Sequence, residues 1–94
     1  MTKFLVERRF HVGEERMPEV GRRSRQIAID QFPEITWEHS HVVVDDAGTV
    51  KTFCVYDAPN EEIVRRHAVE LGLHDVEGVY EIAGDVTPED FPLN

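Results

Sequence analysis

The alternation of apolar and polar side chains divides the chain into short elements separated by turn residues. From about Lys3 to Phe10, the residues Phe4, Val6 and Phe10 alternate against Leu5, Glu7 and Arg9, the period of two expected of a strand. Gly13 opens a turn, and Pro18 suits the first turn of a helix, where its missing amide has no intrahelical acceptor to lose. That helix is expected to run to about Gln31. Its stripe of Met17, Val20, Gly21, Ser24, Ile27, Ala28 and Gln31, spaced by three and four, faces inward, and its small members allow close approach to a sheet. Two stretches rich in β-branched and aromatic residues follow, Ile35 to Asp45 and Thr49 to Asp57, with turn chemistry at Asp46, Ala47 and Gly48 between them. They predict a hairpin with Asp45 opposite Val50. Pro59 stops the second strand, and Asn60 caps a helix whose first turn carries Glu61 and Glu62. The inner stripe of that helix is Ile63, Val64, His67, Ala68 and Leu71, and Gly72 ends it. A last strand, about Gly78 to Ala83, precedes a polar tail over roughly 85–94 with Pro88 and Pro92.

The order β-α-β-β-α-β predicts an α+β, ferredoxin-like fold: a four-stranded antiparallel sheet with two helices on one face. Residues 1–94 read as a single domain without repeats or linkers. With Asp45 facing Val50, His41 falls opposite Cys54, His39 opposite Tyr56, and Val42 opposite Phe53. Period-two alternation then sends Val42, Val44, Phe53 and Val55, with Phe4, Val6 and Ile82, under the helices. The other face is expected to carry Trp37, His39, His41, Val43, Cys54 and Tyr56, with Leu5 and Glu7 from the first strand. A face of that apolar content calls for cover, so homodimerisation through the open sheet, in the manner of a dimeric α/β barrel, is expected.

Charge narrows the partners. Nineteen acidic residues against ten basic ones give a net charge of −9, which repels polyphosphates and argues against nucleic acid. A lone cysteine, Cys54, excludes an internal disulfide framework and any Cys-x-x-Cys motif. The charged N-terminal stretch is no signal peptide, and no apolar run is long enough to span a bilayer. A cytoplasmic location without a membrane partner is the resulting expectation.

Chemistry concentrates on the face expected to be open. His39 and His41 stand two residues apart on a strand, so both rings point to one side. With Cys54 and Glu7 they offer imidazole, thiolate and carboxylate donors of the kind that hold nickel, zinc or copper. Against this stands a plainer possibility, that the histidines only line a dimer interface and Cys54 is a small apolar packer. His67 lies on an apolar helix stripe, where an imidazole is most often a satisfied core group; a bulge in the third strand would bring Cys54 towards it and make His67 a further ligand. His11 and His74 are expected at solvated ends and loops, and Asp45 and Asp46 as turn formers. A second function class remains open: a small-molecule binder or enzyme of the monooxygenase, isomerase or cyclase type, with a pocket lined by Trp37, His41, Tyr56 and Glu7. A third is a non-catalytic interaction module. No Ser-His-Asp order, P-loop or dinucleotide fingerprint is present, and no organic cofactor is indicated.

The segments Phe4-Leu5-Val6-Glu7-Arg8, Trp37-Glu38-His39-Ser40-His41, Lys51 to Pro59, Arg66-His67-Ala68 and Gly72-Leu73 together resemble a small bacterial family of about this length. That family is known mainly as a domain of unknown function with members described as nickel-binding proteins. The resemblance implies a ferredoxin-like dimer and nickel bound by histidine and acidic side chains near the sheet.

Overall fold

A computed structural model describes residues 1–93. Strand β1 (Thr2–Phe10) leads through a 3-10 turn at Glu14–Arg16 into helix α1 (Met17–Gln31). Strands β2 (Thr36–Val44) and β3 (Val50–Ala58) follow, then helix α2 (Glu61–Leu71) and strand β4 (His74–Glu81). The strands form one antiparallel sheet in the order β2-β3-β1-β4. This is the ferredoxin-like α+β arrangement.

Both helices pack on the same side. Val20 of α1 and Leu71 of α2 meet Phe10 and Val50, while Ile63 and Val64 of α2 meet Phe4, Val6, Phe32 and Ile35. Val6, Val64 and Leu71 are sealed from solvent, and burying such side chains contributes about 1.5–3 kcal/mol each. Helix α2 starts where Asn60 Oδ1 accepts the Ile63 amide at 3.0 Å, and it ends at Gly72, whose φ of +68° lies in the region that favours glycine. Among the described residues no helix is long and apolar enough to cross a membrane.

The hairpin register differs by one residue from the expected one. Asp45 Oδ1 accepts the amides of Ala47 at 3.0 Å and Thr49 at 2.9 Å, and the Asp45 amide donates to the Thr49 carbonyl at 3.1 Å. Gly48, at φ +83°, closes the loop. Asp45 therefore faces Thr49, Val44 pairs with Val50, and Ser40 and His41 pair with Cys54 and Phe53. One residue of slip moves a whole strand face. Cys54 and Tyr56 point under the helices, and Phe53 and Val55 point away from them, the reverse of the expectation. Between Trp37 and His39 the β2–β3 register shifts by a bulge at Glu38, so Trp37 pairs with Tyr56 on the helix side while His39 pairs with Val55 on the open side.

Strand β4 also begins earlier than expected, at His74. A bulge between Glu7 and Arg8 lets His74 to Val76 pair with Phe10 to Arg8 ahead of Gly78.

Because the Asp45 carboxylate holds the loop that sets this register, Asp45→Ala is expected to cost about 1–2 kcal/mol of folding stability. A lowered urea midpoint with an unchanged m-value is the readout.

Candidate functional site

On the open face of the sheet, His39 and His41 project from β2 beside Val55 and Phe53 of β3. Their rings stand 5.4 Å apart, edge to face, and both residues are exposed. Next to them runs an apolar band of Phe53 and Val55, Leu5 of β1 and Tyr80 of β4, whose ring lies over Gly78. Ion pairs rim the band. Lys51 Nζ donates to Glu7 Oε2 at 2.8 Å and lies 3.4 Å from Glu77, which also faces Arg9, and Lys3 pairs with Glu38 at the other end.

Of the expected metal ligands, His39, His41 and Glu7 thus share one face, with Glu7 already engaged by Lys51. Cys54 lies on the other side of the sheet, because the Asp45 turn sets β3 one residue from the expected register, and His67 stands on that side too, on the inner stripe of α2 where it was expected. Among the described residues no three His, Cys, Asp or Glu side chains are grouped closely enough to hold a metal ion.

Beneath the helices a second polar set is gathered. Cys54 Sγ donates to Thr52 Oγ1 at 3.4 Å. His67 Nε2 lies 3.0 Å from the Ser24 carbonyl, which only accepts, so that nitrogen carries the proton. The ring also packs 5.9 Å from both Phe32 and Tyr56. His67 is a satisfied core histidine, the plainer of its two expected roles. His74, expected in a solvated loop, is instead half-buried on β4; its Nδ1 donates to the Gly72 carbonyl at 2.6 Å and its ring stacks against Phe10. His11 is exposed, as expected of an element end, and its Nε2 meets Asp75 at 2.9 Å.

Arg8 is the residue that the sequence reading passed over. Its side chain is 2% exposed, its guanidinium carbon lies 5.3 Å from the centre of the Tyr56 ring, and its Nε and Nη2 are buried with no hydrogen-bond partner among the described residues. A buried charge without a counter-charge costs several kcal/mol, and a guanidinium does not escape by losing its proton. The signal was present in β1: Arg8 falls in phase with Phe4, Val6 and Phe10, all of which face the helices.

A cavity of about 220 Å³ lies between α1 and the sheet, with Arg8, Ser24, Trp37, Cys54 and Tyr56 in its wall. A groove of about 390 Å³ beside it shares Ser24, Trp37 and Tyr56 and reaches His67. Trp37 Nε1 donates to Ser40 Oγ at 2.9 Å, which orients the indole at the shared edge. Burial pushes the Tyr56 phenol up to about 12, with the charge of Arg8 pulling the other way. Of the four residues expected to line a ligand pocket, Trp37 and Tyr56 line this one. His41 and Glu7 are on the opposite face.

A family described as nickel responsive proteins similar to SCO4226 matches residues 4–82. The chain belongs to that family. Among solved structures, the family's namesake SCO4226 from Streptomyces coelicolor A3(2) is similar at 17% identity with a TM-score of 0.64, covering 89% of this chain and 99% of that one. The C-terminal domain of the MgtC protein from Mycobacterium tuberculosis is similar at 16% identity and a TM-score of 0.60, over 89% and 88% of the two chains. At such identities these structures speak for the fold. No curated protein matches the chain in sequence.

The buried imidazoles make stability depend on pH. Burial lowers His67 and His74 below the ordinary imidazole value of 6.5, against the raising effect of the carbonyls they bond. Below 6.5 the unfolded chain takes up protons that the folded chain refuses. Stability is therefore full above about 6.5 and falls as the pH drops towards the folded values. Thermal midpoints are expected to decline between pH 7.5 and 5, and to decline less in His67→Gln.

Proposed function

We propose that this protein binds nickel, or another late divalent ion, through His39 and His41, with a second copy of the chain covering the open face and completing the ligand set. The observation that carries this reading is the exposed pair of imidazoles, 5.4 Å apart, at the margin of an uncovered apolar sheet face. Imidazole is a borderline donor suited to nickel, copper and zinc. The description of the family as nickel responsive favours nickel among these.

Two imidazoles alone underfill the coordination sphere of such an ion. A twofold partner seated on the same face presents the same two residues again, because an isologous interface uses one patch twice. The face has the anatomy of an interface, with Leu5, Phe53, Val55 and Tyr80 in the band and ion pairs at both ends. An ion shared in this way links the copies, so that nickel availability is read out as dimer stability. That role, in buffering or sensing, requires no chemical turnover.

Calorimetric titration of the purified protein with nickel is the test. His39→Ala combined with His41→Ala is expected to weaken binding at least tenfold, while Cys54→Ser and His67→Gln leave it within about twofold. Retained affinity in the double variant would remove the site. In sedimentation velocity runs, Val55→Glu is expected to convert a dimer to a monomer; a dimer that survives this charge in the centre of the band places the interface elsewhere.

A further inference from the structure

The interior cavity faces away from His39 and His41 and carries chemistry of a different sign. Arg8 contributes to its wall, almost wholly buried, with Nε and Nη2 unpartnered among the described residues. Those two nitrogens lie on one edge of the guanidinium plane, the edge that donates two parallel N–H bonds to a carboxylate. No carboxylate of the described chain lines the cavity to accept them. A buried guanidinium edge for which the described chain supplies no acceptor disfavours a cation beside it and favours an anion.

We propose that the cleft between α1 and the sheet binds a small organic monocarboxylate, its carboxylate on the Nε and Nη2 edge of Arg8 and its apolar body against Trp37, Val20 and Leu71. The charge balance favours one negative charge over two. Arg8 supplies a single fixed positive charge, while His67 is held neutral by burial and Tyr56 remains a protonated phenol. A phosphate dianion would leave one charge uncompensated in this interior. Size agrees: about 220 Å³ falls below the roughly 300–1,000 Å³ that drug-sized ligands occupy, so the ligand is small. The lining is apolar where the ligand body would rest, with Phe10, Met17, Val20 and Leu71 along it. Ser24 and Thr52 add hydroxyl groups to the lining.

The sole tryptophan, Trp37, stands in the cavity wall and reports on occupancy. Benzoate and octanoate, titrated separately, are expected to change its fluorescence saturably and to raise the thermal midpoint; benzamide, the neutral analogue, and inorganic phosphate are not. Arg8→Met should fold at least as well as the parent, since it removes an unpaired buried charge, and should bind the acids at least tenfold more weakly. Arg8→Lys keeps the charge without the planar edge and should lose most of the affinity too. His39→Ala with His41→Ala should leave the response intact, which separates this site from the nickel proposal. The proposal is overturned if neither acid perturbs Trp37 or the midpoint, with only ordered water on the guanidinium. It is equally overturned if Arg8→Met binds the acids as well as the parent, or if benzamide or phosphate binds as tightly as the acids.

Discussion

The carboxylate of Asp45 governs this molecule more than its position suggests. By accepting the amides of Ala47 and Thr49 it closes the β2–β3 loop over Asp46, Ala47 and Gly48, and so pairs Val44 with Val50. Strand side chains alternate, so this single choice of partner decides which of them meet the helices. Cys54 and Tyr56 go inward with Thr52, and Phe53 and Val55 go outward beside His41 and His39. The sheet then separates two kinds of chemistry. Two imidazoles stand on the uncovered face, and a cationic group is enclosed on the covered one.

That separation accounts for what each side can hold. An ion of positive charge is disfavoured next to Arg8, whose charge also helps to lower His67 and His74. On the other side, Lys51 and Arg9 are matched by Glu7, Glu77 and Asp75, which leaves the histidine margin without a dominant fixed charge. Strand β2 connects the two. The bulge at Glu38 turns Trp37 into the cleft and His39 out of it, so adjacent parts of one strand serve opposite faces.

Much of this was legible in the residues. The element order, the turn at Asp46 to Gly48, the Asn60 cap and the outward direction of His39 and His41 follow from period, turn chemistry and propensity. Two things were not. A turn of three residues and one of four look nearly alike in sequence, and only the Asp45 hydrogen bonds distinguish them, yet the difference moves Cys54 and Tyr56 to the other face. The role of Arg8 was hidden for another reason: a charged residue between apolar ones is ordinarily assigned to solvent, because burying it alone is costly. Its phase with Phe4, Val6 and Phe10 was the contrary signal, and a binding site is where such a cost is tolerated.

The proposed division of the sheet into a metal-binding side and a closed side is tested most directly by following backbone and side-chain NMR resonances during addition of nickel. The account predicts that signals of His39, His41, Val43 and Phe53 shift or broaden first, while those of Ser24, Cys54, Tyr56 and His67 hold their positions. Early perturbation of Cys54 and His67, with His39 and His41 unmoved, would contradict it.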